Sequence, residues 1–265
     1  MSKLLSLFLI IVALTVGTGC HHSRTAQSPY RLAVAKRLYE QRQYHQAQDT
    51  LSNFILESGS DRTTLCEAYY LRGLCFRHQG ASYDTKAKQD FTKAITRSCH
   101  PMIKGLAHVG LGHIHFEQGL ASLAKAKYHY LTALNQLDDA APKDAVLYRV
   151  GVTLQRLGYW SQADRYFLRC VHHFPSSKFA GQAKRRVGAK IFRLQIGAFS
   201  DLKRAQQNVK SLSGTGFQFD STLETHDRKT LYYVRTGRYT TYQMALSQLD
   251  NLSRRDSGGI IVACK

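Results

Sequence analysis

Residues 192–199, with the sequence FRLQIGAF, and residues 232–239, with the sequence YYVRTGRY, are one motif repeated at an offset of 40. Each copy alternates apolar and polar side chains, which is typical of a β-strand with one covered face. A glycine lies near the end of each copy, and an amphipathic stretch follows with alanine at equivalent places, Ala205 and Ala245. The repeat therefore predicts two strand–turn–helix units in residues 191–265.

Residues 217–221 and 259–264 are predicted to supply the remaining strands, giving a four-stranded antiparallel sheet with two helices on one face. Because side chains alternate along a strand, the apolar residues of the repeated strands must face the helices. Four polar side chains then point to the uncovered face: Arg193, Gln195, Tyr233 and Arg235. Their guanidinium, amide and phenol groups suit a flexible polar polymer, and contact with another protein is the alternative use of such a face.

Residues 191–265 resemble the SPOR domain, a cell-wall-binding module, in FRLQIGAF, in LYYVRTGRY and in the pair Gly258–Gly259 before the last strand. The resemblance implies an α+β domain that binds peptidoglycan glycan strands stripped of their stem peptides, material generated at division septa. It places Gln195 on the family's glycan-binding glutamine. The segment has eleven Lys and Arg against six Asp and Glu, and this net charge of +5 attracts the free lactyl carboxylates of such strands.

A second repeat lies upstream, in four helical copies between residues 30 and 177. A small residue of the first helix recurs at Ala35, Gly73, Gly112 and Gly151, in steps of 38, 39 and 39. Glycine inside a helix costs about 1 kcal/mol relative to alanine, so close approach of a paired helix must compensate. The predicted packing residues are Gly73, Ala87 and Phe91; Gly112, Ala126 and Tyr130; and Gly151, Ala163 and Phe167.

These copies resemble the tetratricopeptide (TPR) repeat, most clearly in the fourth. The matching residues are Gly151, Leu154, Gly158, Trp160, Ala163, Phe167 and Pro175. The resemblance implies an all-α solenoid with a concave groove for a protein or peptide that the sequence does not identify. Residues 178–190 are predicted to form a capping and connecting helix. No Gly-, Ser- or Pro-rich linker follows it, so the two domains are expected to have a restricted relative orientation.

Residues 1–19 have the basic start and short apolar core of a secretory signal. Small residues followed by Cys20 resemble the lipobox of bacterial lipoproteins, which implies lipidation of Cys20, a membrane anchor and a short tether over residues 20–29. His21 in place of aspartate favours, by resemblance, an outer-membrane lipoprotein facing the periplasm. The alternative is an ordinary cysteine after a plain signal peptide.

The chain of 265 residues carries 37 Lys and Arg against 18 Asp and Glu, a net charge of +19 that favours anionic partners. An envelope location replaces nucleic acid with anionic lipid and cell-wall carboxylates as those partners. In that oxidising compartment Cys66 and Cys99, at the ends of one predicted hairpin, are expected to form a disulfide.

Neither a metal site nor a catalytic centre is predicted. His113 and His115 point to different sides of a helix and no CxxC or HExxH motif accompanies them, so packed or exposed histidines are the simpler interpretation. Asp138 and Asp139 fit a loop turn better than acid–base catalysis. The two domains occupy nearly all of the mature chain, so no enzyme activity and no cofactor are expected.

The sequence thus predicts a non-enzymatic envelope lipoprotein that binds denuded glycan through its C-terminal domain and recruits proteins through its repeats, in cell division or wall remodelling. One alternative is a scaffold for outer-membrane assembly or secretion, positioned at the wall by the C-terminal domain. Another is an activator or subunit of a wall hydrolase.

Overall fold

The computed structural model describes residues 24–57, 62–97, 100–226, 229–254 and 258–265, with side chains from Tyr30 onward except those of Arg62 and His226. The signal segment 1–19, residues 20–23 of the predicted tether, which include Cys20, and Cys99 lie outside the described residues, whereas residues 24–29 of the tether are helical. Among the helices described, none has the length and apolar character needed to cross a membrane.

Antiparallel helix pairs form the first part of the chain. Their bounds are α1 (Arg24–Glu40), α2 (Tyr44–Glu57), α3 (Arg62–His78), α4 (Asp84–Thr96), α5 (Pro101–Glu117), α6 (Leu123–Leu134), α7 (Lys143–Arg156) and α8 (Trp160–His173), followed by α9 (Lys178–Arg186). Each helix packs against the next, and α1 and α5 also contact α3. First helices of successive pairs therefore approach one another, which places them on the inner side of a solenoid.

The turns between paired helices differ in length. The second and third pairs contain short 3₁₀ segments, Ala81–Tyr83 and Leu120–Ser122, which accommodate the extra residues of these copies. Gly80 and Gly119 precede these segments with φ of +112° and +87°, a conformation that glycine adopts without steric cost. The fourth pair has no 3₁₀ segment and turns at Gly158, whose φ is +84°.

The paired helices approach closely because the repeated glycines lack a side chain. A Cβ atom on Gly73 would lie 2.7 Å from the Phe91 ring, and one on Gly112 would lie 2.6 Å from the Tyr130 ring. The same atom on Gly151 would lie 2.4 Å from the Phe167 ring. The three alanines of the opposing helices, Ala87, Ala126 and Ala163, are completely buried. The three glycine–aromatic pairs therefore lie in the contacts between paired helices, and the three alanines are buried.

Helix α9 ends at Arg186, four residues before the end of the predicted capping helix. Val187 has extended ψ of 131°, and Gly188 follows with φ of +80°, so the helical hydrogen-bonding pattern cannot continue. Ala183 and Ala180 pack against the last repeat, as expected of a helix that covers an open end.

The rest of the chain forms an antiparallel sheet with strand order β2-β3-β1-β4. Its strands are β1 (Ile191–Phe199), β2 (Phe219–His226), β3 (Lys229–Tyr239) and β4 (Ile260–Cys264), with helices α10 (Leu202–Ser211) and α11 (Tyr242–Ser253). Strand β2 begins two residues later than predicted and extends well past residue 221. The fold class predicted from the sequence is confirmed: a helical solenoid followed by a small α+β domain.

The internal repeat of this domain extends to the starts of its helices. Asp201 accepts a hydrogen bond from the Arg204 backbone N–H, and Thr241 accepts one from the Met244 N–H. These N-caps are 40 residues apart, like the strands that precede them. Beneath the helices, Phe192, Leu194 and Val234 form the core with the buried faces of α10 and α11.

The two domains contact each other directly. The Trp160 ring, at the start of α8, lies 4.8 Å from the Phe192 ring of β1. Asp164 accepts hydrogen bonds from the Gly188 backbone N–H at 3.0 Å and from Lys190 Nζ at 3.4 Å. Apolar and polar contacts at the same junction restrict the relative orientation of the domains, as the missing linker predicted.

Candidate functional site: the helix-free face of the sheet and its adjoining cleft

The strand register places seven polar side chains on the face of the sheet opposite the helices. Asp220 pairs with Arg235, Thr222 with Tyr233, and Gln195 with Arg235 on its other side. The set is Arg193, Gln195, Asp220, Thr222, Glu224, Tyr233 and Arg235. All four residues that the sequence predicts for glycan binding therefore share one face.

Arg235 is not the exposed guanidinium that the sequence analysis expected. It is only 7% exposed, and Glu224 accepts hydrogen bonds from both of its terminal nitrogens. The Arg235 Nε donates to Gln195 Oε1 at 3.2 Å, and the guanidinium lies 4.7 Å from the Tyr233 ring centroid. Burial acts to lower the pKa of Arg235, but the hydrogen bonds and charge of Glu224 raise it above its ordinary value. Arg235 is therefore a permanently charged, internally satisfied part of the face.

A second ion pair lies beside the first. Arg193 donates to both carboxylate oxygens of Asp220, and its Nε donates to the Gly237 carbonyl oxygen at 3.0 Å. Gly237 has φ of +72° and lies where the β1–β3 register shifts, so the bulge turns its carbonyl toward Arg193. The Arg193 side chain is 13% exposed. These two pairs orient the arginines and reduce the positive charge that the sequence alone suggests for this face.

Gln195 retains hydrogen-bonding capacity for a ligand. Its Oε1 accepts from Arg235, which turns its amide nitrogen away from that contact. Among the described residues, the Gln195 amide nitrogen has no hydrogen-bond partner, and the side chain is partly exposed. An oriented amide donor on a rigid strand suits a hydroxyl or carbonyl oxygen of a sugar.

A cleft of about 1020 Å³ opens beside this face and shares Arg193 and Asp220 with it. Further polar groups come from Gln248 and Asn251 on α11 and from Arg254, the residue that ends this helix, at the spacing i, i+3, i+6. Phe217 and Tyr239 add aromatic surface. Amides and guanidiniums next to aromatic rings can bind both the hydroxyls and the apolar faces of sugar rings.

The sequence analysis did not single out the cleft residues of α11. On a helix whose opposite side is buried through Ala245 and Leu252, a polar stripe is the ordinary pattern of a solvated face. The sequence signal for the cleft was the segment before β2, in which Gly216 lies between polar and aromatic residues. In the structure Gly216 has φ of +76°, and this segment forms the wall of the cleft that faces α11.

Comparison with protein families places the C-terminal region in one of them: the family model of the SPOR domain matches residues 188–263. Residues 188–263 form a SPOR domain. SPOR domains bind peptidoglycan, so the helix-free face and cleft belong to a cell-wall-binding module. The match begins at Gly188, two residues after the end of α9.

Other comparisons add less. The crystal structure of the C-terminal part of a TPR repeat-containing protein from Cytophaga hutchinsonii is similar with a TM-score of 0.45 and 15% sequence identity, covering 59% of this chain and 58% of that chain. The chain thus spans less than two thirds of that structure. A search among curated proteins finds no match.

The histidines of the third pair are packed against one another. His108 Nδ1 lies 2.9 Å from His129 Nδ1, and the His115 ring stacks on the His129 ring at 5.4 Å. Burial lowers the pKa of His108 and of His129, the latter to about 4. Within the described part of the chain, no group of three or more His, Cys, Asp or Glu residues is arranged to hold a metal ion.

The cysteines differ in their state. Cys66 is disulfide-bonded and buried, whereas Cys99 lies outside the described residues, so the Cys66–Cys99 pairing stays a prediction. Cys75 and Cys170 are free and completely buried. Burial raises the pKa of the Cys75 thiol to about 12 and that of Cys170 to about 11, so both remain protonated and serve as small apolar residues.

Proposed function

We propose that this chain is a non-enzymatic lipoprotein of the bacterial envelope that tethers protein partners to peptidoglycan. Its SPOR domain binds glycan strands stripped of stem peptides, and its TPR-like repeats recruit a protein, in cell division or wall remodelling. Lipidation of Cys20 anchors the chain to the outer membrane on the periplasmic side. The observation that carries the proposal is the SPOR match over residues 188–263.

The chemistry of the SPOR face supports a denuded glycan as the ligand. Gln195 offers a fixed amide donor, and the neighbouring cleft offers Asn251 and Arg254 beside aromatic rings. Removal of the stem peptides leaves a carboxylate on each muramic acid, which the net positive domain attracts. At an ionic strength of about 0.15 M this attraction extends only about 8 Å, so it assists docking after encounter.

The paired arginines define how the face recognises its ligand. Arg193 and Arg235 are held by Asp220 and Glu224, so a glycan would contact oriented ion pairs, not free cations. Neutral hydrogen bonds of Gln195 and Asn251 then contribute the discrimination, each on the order of 1 kcal/mol. In this proposal the positions of the hydrogen-bonding groups determine the specificity for glycan, and electrostatic attraction contributes less.

The contact between the domains determines how a bound partner would be positioned relative to the wall. Trp160 and Asp164 of the last repeat hold the SPOR domain directly against the solenoid. A partner in the repeats would therefore stand at a defined position relative to the glycan strand. The chain would act as a rigid adaptor between wall and partner.

Cosedimentation of the full-length chain, purified in detergent, with isolated sacculi tests the proposal. We expect binding to increase after amidase treatment removes the stem peptides. The double variant Gln195→Ala/Asn251→Ala is expected to bind treated sacculi about thirtyfold more weakly, the equivalent of two hydrogen bonds of about 1 kcal/mol each.

The matched control is Gln206→Ala, which removes an exposed amide from α10, away from both the face and the cleft. Its binding should equal that of the unmodified chain. Equal binding to sacculi before and after amidase treatment would contradict the denuded-glycan assignment. Absence of binding to either preparation would overturn wall tethering and leave the repeats as the functional part, as in the scaffold alternative.

A further inference from the structure

Four arginines lie along the solenoid between its second repeat and its junction with the SPOR domain. Arg149 and Arg156 of α7 lie over the same Phe116 ring, at 5.4 Å and 4.2 Å from its centroid. Arg156 also lies 4.4 Å from the Tyr242 ring of the SPOR domain. We call Arg77, Arg149, Arg156 and Arg186 the arginine cluster.

The other two members flank this central pair. Arg186 donates to the Tyr148 hydroxyl at 3.2 Å and to Gln155 Oε1 at 3.0 Å, which places it beside α7. Arg77 of α3 donates to Glu117 at 2.6 Å, next to Phe116 in the chain. The cluster therefore links the second repeat, the third and fourth repeats, the capping helix and the SPOR domain.

Among the described residues, only two carboxylates, both paired with one arginine, balance the four positive charges of the cluster. Arg77 is paired with Asp84 and Glu117. In the described ranges, Arg149, Arg156 and Arg186 form no ion pair with a carboxylate. Burial first, and then the charges of Arg186 and Arg149, lower the pKa of Arg156. Holding like charges together in a partly buried site is unfavourable unless an anion joins them.

We infer that the arginine cluster binds a carboxylate-rich, acidic peptide segment of a partner protein. Guanidinium forks match carboxylates with two parallel hydrogen bonds, and the Phe116 ring holds two of these forks side by side. A solenoid groove accommodates an extended chain, so successive acidic side chains can reach Arg156, Arg149 and Arg77 in turn. The inference rests on the proposed recruiting role of the repeats and specifies the chemistry of the partner.

Fluorescence anisotropy with a labelled decaglutamate peptide tests this site on the full-length chain in detergent. We expect saturable binding at 50 mM salt that weakens at 300 mM salt, because charge–charge attraction is screened. A labelled decaglutamine peptide should not bind. The double variant Arg149→Gln/Arg156→Gln is expected to bind decaglutamate at least tenfold more weakly.

The matched control is Arg165→Gln/Arg169→Gln, which removes the same charge from exposed positions on α8. Its decaglutamate affinity should be unchanged. Equal loss in both double variants would reduce the effect to net charge and overturn the site, as would a lack of decaglutamate binding by the unmodified chain. Sacculus cosedimentation of the same proteins is independent of this site, so failure of wall tethering and failure of the acidic-peptide site are separately visible.

Discussion

Replacement of Gly151 by alanine is expected to destabilise the protein by about 2 kcal/mol, within the range for overpacking a well-filled core. The added methyl would lie 2.4 Å from a ring atom of Phe167, which is completely buried. Neither α7 nor α8 can move away without disturbing the neighbouring repeat, because each helix packs on both sides. Unfolding by denaturant, followed through the fluorescence of the single tryptophan, Trp160, measures the change.

The same substitution at Gly181 is expected to have the opposite sign. Gly181 lies inside α9, and a Cβ atom there would have no atom within 4 Å. Alanine is favoured over glycine in a helix by up to about 1 kcal/mol, so Gly181→Ala should be neutral or stabilising. The comparison separates steric overlap from helix propensity.

A double variant sharpens the prediction further. Phe167→Leu alone opens a cavity, but combined with Gly151→Ala it makes room for the methyl group. The double variant should therefore lose about 1 kcal/mol less stability than the sum of the losses of the two single variants. Full additivity, or a stabilising effect of Gly151→Ala, would show that the glycine does not set the distance between α7 and α8.

The sequence predicts the elements of this molecule well because each repeat carries its own packing signal. The spacing of Gly73, Gly112 and Gly151 has one steric explanation, an aromatic ring where a side chain would otherwise lie. Likewise, alternation in two strands 40 residues apart predicts which residues face the helices, and Leu194 and Val234 are completely buried there. Packing patterns within one helix or strand, or between elements that follow one another in the chain, can therefore be predicted from the sequence.

The environment of the predicted glycan-binding residues was harder to predict. Arg235 points to the predicted face, but its burial depends on Glu224, which belongs to a part of β2 that the sequence pattern did not include. The pairing of Arg193 with Asp220 depends in turn on the bulge at Gly237. Ion pairs between strands follow from register, and register depends on tertiary packing that periodicity does not specify.

The junction between the domains was predictable only in outline. The missing linker indicated a restricted orientation. The contact of Trp160 with Phe192 could not be predicted, because Trp160 belongs to the helical repeats and Phe192 to the repeated strands of the SPOR domain. Trp160 matches the TPR motif of the fourth repeat by resemblance, yet here its ring packs against the SPOR core. The arginine cluster arises in the same way, from helices that meet only in the assembled solenoid.

Acidification from pH 7 to pH 4 is expected to remove at most about 3 kcal/mol of stability through His113 alone. Burial first, and then the charges of Arg149 and Arg77, lower the pKa of His113 from 6.5 to about 4 in the folded protein. Between these values the unfolded chain binds a proton that the folded chain does not, so stability falls as pH falls. At neutral pH the ring is uncharged in both states and contributes no such difference.

The pH dependence of His113→Gln tests this assignment, because glutamine cannot be protonated in this range. Unfolding free energies at pH 7, 6, 5 and 4 should fall less steeply for the variant, by about 1 kcal/mol per pH unit between pH 6 and pH 4. His45→Gln, which changes an exposed histidine of α2, is the control and should keep the slope of the unmodified chain. The prediction fails if His113→Gln and the unmodified chain lose stability at the same rate, since the acid sensitivity would then come from groups other than His113. A flatter profile would instead show that the buried His113 ring stays neutral in the folded protein until the pH approaches about 4.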